Sequence, residues 1–206
     1  MYKRQFRVRD RLIRSSLLGR PNIRNVALAL AYALASGMTL DEVQPVLASL
    51  QPLPRRMEKL RLAGRTVLDD TSGHPDSLIA LFEVADLIDR KQLWIVWAVR
   101  GSRGVDVNRA NAFTLADLAS LQEAAGLIVT ASEDVTSPAD QATGEEIDAV
   151  RAALQLRGRP YDFRGTLQES METVAARSAP GDLIVLAGAQ GMNDGRRLLE
   201  QALRSG

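Results

Sequence analysis

The sequence predicts an α/β fold in which a mainly parallel sheet carries helices on both faces. Three observations predict it. Past the first third of the chain, strand and helix signals alternate, the rhythm of a sheet whose strands are joined by helical crossovers. Three of the strand segments are apolar without alternation, as strands covered on both faces must be. At 206 residues, 46% hydrophobic and 25% charged, the chain can also bury a core around such a sheet.

The elements follow in order. Residues 1–20 hold Lys3, Arg4, Arg7, Arg9, Arg11, Arg14 and Arg20 against Asp10 alone, a local charge of +6 in a chain whose net charge is +1. Such an arm suits nucleic acid or lipid, and the plainer reading, a solvated or frayed terminus, is favoured. Asn22–Ser36 is apolar nearly all round and ends at Gly37, the pattern of a buried helix with its stop signal. Thr39, with Asp41 and Glu42 behind it, opens a second helix that runs to about Leu50. Gln51–Arg56 carries two prolines and reads as a linker. Strands are then expected at Thr66–Asp69, Leu93–Val99, Leu127–Thr130, Tyr161–Phe163 and Leu183–Ala187. Helices are expected near 75–90, 110–124, 143–157, 166–178 and 193–204.

Composition removes several kinds of chemistry. Without cysteine there is no disulfide, thiolate metal site or cysteine nucleophile, and one histidine cannot build a multi-histidine metal centre. No apolar run approaches the roughly 20 residues that span a bilayer. The basic start lacks the apolar stretch of a secretory signal, so the expected location is the cytoplasm, with no membrane partner.

In parallel sheets ligands bind where strands end and helices begin. The loop Asp69–Asp76 places paired carboxylates at such an end, suited to ribose hydroxyls or a hydrated metal. The alternative favoured on residue chemistry alone is that Asp69 or Asp70 caps the next helix while His74-Pro75 opens it. Arg100–Arg109 offers three arginines and two glycines, fitting either an anion site or a solvated loop. Glu133 and Asp134 would select a cationic or amino group or stand solvated. Gly188 allows either close substrate approach or a tight turn. Trp94 and Trp97 read as core packing, and Arg55-Arg56 as a hinge contact or a solvent-facing pair. No G-x-x-x-x-G-K-[ST] occurs, so the phosphate cradle on which phosphoryl transfer depends is missing.

Four segments carry a family resemblance. Gly19-Arg20-Pro21-Asn22-Ile23-Arg24-Asn25 resembles G-x-x-N-x-x-N-x-x-A, and Pro54-Arg55-Arg56-Met57-Glu58 is similar to a G-R-M-E or R-R-F linker. Val67-Leu68-Asp69-Asp70-Thr71-Ser72-Gly73-His74-Pro75 resembles D-D-Y-x-H-x-P, and Ala179-Pro180-Gly181-Asp182-Leu183-Ile184-Val185-Leu186-Ala187-Gly188 resembles P-G-D-x-V-L-x-A-G. In this order they resemble the second half of a Mur ligase, the family that builds the peptide of bacterial peptidoglycan and includes folylpolyglutamate and cyanophycin synthetases.

That resemblance implies residues 1–50 as a basic arm plus the helical end of the family's central ATPase domain, and residues 51–206 as its Rossmann-like C-terminal domain. It implies an ATP-dependent carboxylate–amine ligase using Mg²⁺, neither of which this chain would hold alone. Carried over by position, Arg56 would reach the ATP phosphates or the hinge, Asp70 would bind ribose, and Asp69 and His74 would lie on the nucleotide side. Arg109 resembles the arginine that receives the amino-acid carboxylate, Arg103 stands in a G-D-R-like turn, and Glu133, Asp134 and Gly188 complete the substrate side. The sequence departs from the family at Thr71 and Gly73, where tyrosine and the first histidine usually stand, and at Ala189-Gln190-Gly191-Met192, in place of K-G-H-E. Glu133-Asp134-Val135-Thr136 replaces D-N-P-R, which argues against diaminopimelate as substrate. The expectation is a truncated or separately encoded ligase portion, silent alone, taking an amino acid or peptide and a separate central-domain polypeptide as partners. The alternatives are a non-catalytic binding module of the same fold and, more weakly, a nucleic-acid-associated protein using the basic arm.

Overall fold

A computed structural model describes residues 5–8 and 10–205, and the chain divides into two units, 1–58 and 59–206. The expected basic contacts of Lys3, Arg4 and Arg9 lie outside the described residues.

In the first unit, strands β1 (Gln5–Val8) and β2 (Arg11–Arg14) pair antiparallel, followed by helices α1 (Arg20–Ala35) and α2 (Leu40–Ser49). The expectation of a frayed arm is corrected: Phe6 and Val8 alternate with polar residues and pack with fully buried Ile13 against Val26, Leu30, Val43 and Leu47. Period-two alternation gives the arm an apolar face, which its charge count conceals. Helix α2 starts where expected, with Thr39 Oγ1 accepting from the Glu42 N–H and the Glu42 carboxylate from the Thr39 N–H. The reading of α1 as a buried helix is also corrected, since Leu28 and Tyr32 are 70% and 77% exposed. An apolar surround requires neighbours on every side, and within this unit α1 buries only Val26 and Leu30.

The second unit is built on a six-stranded sheet in the order β3-β4-β8-β5-β6-β7. The strands are β3 (Glu58–Leu62), β4 (Arg65–Asp70), β5 (Leu93–Ala98), β6 (Gly126–Thr130), β7 (Asp162–Arg164) and β8 (Leu183–Ala187). From β4 to β7 every neighbouring pair is parallel. Strand β3, which the sequence reading lacked, joins β4 through the turn Ala63-Gly64; its alternating charges and leucines, EKLRL, mark an edge strand.

Helices α3 (Pro75–Ala85), α4 (Val105–Leu121), α5 (Gly144–Leu156), α6 (Leu167–Arg177) and α7 (Gly195–Ser205) cover the sheet. On one face Val67, Val96, Ile128, Ile184 and Leu186 meet Leu167, Met171 and Val174 of α6 and Leu199 of α7. The alternate residues Leu68, Ile95, Trp97 and Val185 are as fully buried, so both faces are dry. Trp94 is a core residue whose Nε1 donates to Asp182 Oδ2 at 3.2 Å. Two helix limits differ from expectation by five residues. Helix α3 ends at Ala85, and α4 begins at Val105, so Asn108 and Arg109 belong to a helix rather than a loop.

Candidate functional site

Four loops leave the C-terminal edge of the sheet, after β4, β5, β6 and β8, and they hold most of the residues the sequence singled out. Arg56 belongs to the first unit, in a turn where Arg55 and Met57 adopt φ of 58° and 53°.

After β4, polar groups engage one another. Asp69 and Asp70 end the strand buried, and Ser72 Oγ donates to Asp70 Oδ1. His74 is the exposed N-cap residue of α3, yet Ser77 performs the capping. Ser77 Oγ accepts from the N–H groups of Gly73 and His74 at 3.2 and 3.0 Å and donates to the His74 carbonyl at 2.7 Å. Neither aspartate is the cap that residue chemistry favoured.

The loop after β5, residues 99–104, is different in kind. Arg100 and Arg103 are half-buried, and each has its Nε shut from solvent without a hydrogen-bond partner. No ion pair or side-chain hydrogen bond of either guanidinium exists among the described residues. Burial pushes the Arg100 guanidinium below its ordinary range, Arg103 pushes it further down, and Asp140 opposes them. Arg100 therefore feels a like charge in Arg103 and a carboxylate in Asp140, a setting compatible with an anionic ligand.

This loop is clamped from beneath. Glu146, 3% exposed, accepts through Oε1 from the N–H groups of Arg103 and Gly104 at 3.2 and 2.8 Å, and from Asn108 Nδ2 at 3.2 Å. Its Oε2 accepts from the Thr143 N–H at 2.9 Å. Burial by itself would raise this carboxyl; the bonds accepted from Thr143, Gly104 and Arg103 outweigh it and hold the group below the usual carboxylate value. Asn108 also donates to the Arg100 carbonyl at 2.9 Å, tying both ends of the loop to α4. Gly101 is required for space: a Cβ there would lie 2.0 Å from the Gln141 carbonyl oxygen.

The remaining residues have structural work of their own. Arg109 pairs with Asp106 at 2.8 Å on the exposed first turn of α4. Asp134 caps α6, its two oxygens accepting from the N–H groups of Leu167 and Gln168 at 2.7 and 3.1 Å. Glu133 is exposed beside Gly165. Gly188, with φ of 137°, packs where a Cβ would touch Ala98 at 3.0 Å, and its N–H donates to the Asp70 carbonyl at 3.2 Å. The edge therefore gathers Asp70, His74, Arg103 and Gly188 and turns Asp134 toward a helix terminus. Sequence reasoning passed over Glu146 and did not select Arg100. The Thr143-x-x-Glu146 spacing, a capping box, was the available signal for Glu146.

A cleft of about 750 Å³ lies at the other end of the strands, lined by Arg65, Glu172, Ser178, Leu198 and Gln201. Its one cation, Arg65, is already bonded to Ser178, and parallel sheets bind ligands at the opposite edge. Among the described residues no three His, Asp or Glu side chains converge as metal donors, and no helix is long and apolar enough to cross a membrane.

Comparison with known proteins gives consistent results. Residues 55–190 match the family model of the Mur ligase, glutamate ligase domain. The UDP-N-acetylmuramate–L-alanine ligase of Syntrophus aciditrophicus is 30% identical over 183 residues, covering 86% of this chain and 36% of that protein. The UDP-N-acetylmuramoyl-L-alanyl-D-glutamate–2,6-diaminopimelate ligase of Alkalilimnicola ehrlichii is 27% identical over 179 residues, covering 85% and 33%. The chain thus spans about a third of the length of these relatives. In fold it is similar to the MurF ligase of Thermotoga maritima solved in complex with ADP, with a TM-score of 0.72 and 17% identity over all of this chain and 45% of that one.

Proposed function

The chain belongs to the Mur ligase family through the glutamate ligase domain at residues 55–190, and from that membership we propose that it supplies the amino-acid-binding wall of an ATP-dependent carboxylate–amine ligase. In such a reaction a substrate carboxylate takes the γ-phosphoryl group of ATP, and the amine of the incoming amino acid displaces phosphate from the acyl phosphate. The products are amide, ADP and phosphate. Positioning and charge neutralisation dominate such chemistry.

The observation that carries this reading is the pair Arg100 and Arg103, two guanidiniums at the ligand edge without a hydrogen-bond or ion-pair partner among the described residues. Their forks would hold the carboxylate of the incoming amino acid, which leaves its amine directed away from them toward the acyl phosphate. Arg109 would join only by exchanging Asp106 for the substrate. On the nucleotide side, Asp70 accepts from Ser72, and an ionised carboxylate has capacity for a ribose hydroxyl as well. Asp69 and His74 flank that position, and Arg56 would reach the phosphates or the hinge. Glu133 and Gly188 would border the substrate side chain, with Asp134 shaping that border through its cap on α6.

The sequence has no G-x-x-x-x-G-K-[ST] phosphate-binding loop. In this reading both metal and triphosphate are held by a central-domain polypeptide, with residues 1–50 as the end of that domain. Similarity to the Syntrophus ligase over 86% of the chain, wider than the family model, supports this assignment. The setting is cytoplasmic, as for the family's nucleotide-dependent chemistry. A non-catalytic binding module remains the second reading, favoured by the departures at Thr71, Gly73 and 189–192.

Incubation of the purified chain with ATP, Mg²⁺ and amino acids tests the first reading. It predicts no phosphate release alone, and amino-acid-dependent release once a P-loop-bearing central domain is added. Turnover by the chain alone that survives repurification would overturn it, and silence after the addition would favour the second reading.

A further inference from the structure

The loop that presents Arg100 and Arg103 is not self-supporting. Ser102 adopts φ of 58° and Gly104 φ of 86°. A serine in the left-handed region persists only where its surroundings over-determine it. Two supports do so. From one side Ser102 Oγ donates to the Ala139 carbonyl at 2.6 Å and the Gly101 N–H to the Asp140 carbonyl at 3.2 Å. From beneath, one oxygen of Glu146 gathers the Arg103 and Gly104 N–H groups and the amide of Asn108, which itself holds the Arg100 carbonyl.

A helix cap alone requires far less than this. The capping box of α5 uses Glu146 Oε2 and Thr143, whereas Oε1 is directed wholly at the neighbouring loop and α4. Other acids in first turns, such as Glu145 and Asp106, are exposed, while Glu146 is buried. Burying a carboxylate is costly unless it is fully bonded, so its position on the underside of the arginine loop calls for a reason.

We infer that Glu146 is a positioning residue for substrate binding: its buried carboxylate fixes residues 100–104 in the one shape that aims both arginines at a single anion. The inference rests on the proposed amino-acid site and adds a residue that touches no substrate. Oε1 sits under the backbone of Arg103, so it orders the arginine without neutralising the guanidinium. Loss of Glu146 leaves both arginines in the sequence and removes their common aim.

The test is an NMR titration of the full chain with L-alanine, glycine and D-glutamate, recording affinity together with the backbone N–H signals of Arg103 and Gly104. For Glu146→Ala we expect at least tenfold weaker binding of whichever probe binds, with exchange-broadened or shifted signals at both residues. Glu146→Gln, which retains an acceptor at Oε1, should restore affinity to within about threefold. Thr143→Ala removes a cap bond and leaves Oε1 untouched, so it should lower the melting temperature and leave affinity unchanged. The inference is overturned if Glu146→Ala leaves the Arg103 and Gly104 signals in place, or if affinity in the Glu146 and Thr143 variants merely tracks lost stability. Should no probe bind the unaltered chain, the proposed function fails. The two N–H signals then still decide whether Glu146 orders the loop.

Discussion

Two loops leave the same edge of the sheet, after β4 and after β5, and they treat charge in opposite ways. In the first, serines meet the acid and the backbone: Ser72 serves Asp70 and Ser77 serves Gly73 and His74. In the second, Asn108 and Glu146 bond the backbone, and the guanidiniums of Arg100 and Arg103 are left open. An acid satisfied by its own loop is a structural element with residual accepting capacity, whereas cations supported only through their backbone keep their donors for another group. In the proposed reading the difference places anion recognition at this edge in the β5 loop, whose backbone is held by Asn108 of α4 and Glu146 of α5.

The largest effect expected to break this arrangement is Gly101→Ala. The new Cβ would lie 2.0 Å from the Gln141 oxygen and 2.2 Å from its carbonyl carbon, both backbone atoms that cannot swing away. Overpacking of this kind costs about 3 kcal/mol, read as a fall in urea midpoint, and anion binding should fall with it. Next, Arg103→Ala should weaken amino-acid binding by about 10- to 100-fold, the loss of a charged hydrogen-bonded contact. It should change stability by less than about 0.5 kcal/mol, because the guanidinium has no protein partner to lose.

A sharper comparison comes from pH. The Glu146 carboxyl is held below its ordinary value of 4.5 in the folded protein. The stability it contributes is therefore complete above about pH 4.5 and lost as pH falls through the lower, folded value. Urea unfolding of the unaltered chain and Glu146→Gln should differ by a constant amount, about 1–2 kcal/mol, from neutral pH down to about 4.5. Below that the curves should converge. Thr143→Ala, which removes the hydroxyl that accepts from the Glu146 N–H at 3.2 Å, should cost about 1 kcal/mol in the same experiment. The smallest effect belongs to Asp106→Asn. Its pair with Arg109 is exposed on both sides, so stability should change by under about 0.5 kcal/mol.

How much of this was legible follows from what each signal depends on. Strands β5, β6 and β8 were readable because a strand covered on both faces must be largely apolar, as Leu93–Ala98 is. The β1–β2 hairpin was not, since seven basic residues conceal an apolar face at Phe6, Val8 and Ile13. Helix α4 was placed five residues late because its start is set by Gly104 at φ of 86° and not by a side-chain cap. For the site, the acid and arginine loops were visible as clusters of charge. Which charges are engaged was not visible, because partners such as Glu146 stand some forty residues away in sequence and meet the loop only through the packing of α4 on α5. Likewise Asp134 reads as a selector of cationic or amino groups or as a solvated acid, while its bonds to Leu167 and Gln168 depend on where α6 begins.

The most direct measurement compares L-alanine, glycine and D-glutamate with L-alaninamide and glycinamide in calorimetric titrations of the unaltered chain and Arg103→Ala. The account predicts that at least one free acid binds the unaltered chain, that its amide counterparts do not, and that the preference disappears without Arg103. Equal binding of acids and amides, or a carboxylate preference that survives the loss of Arg103, would contradict it.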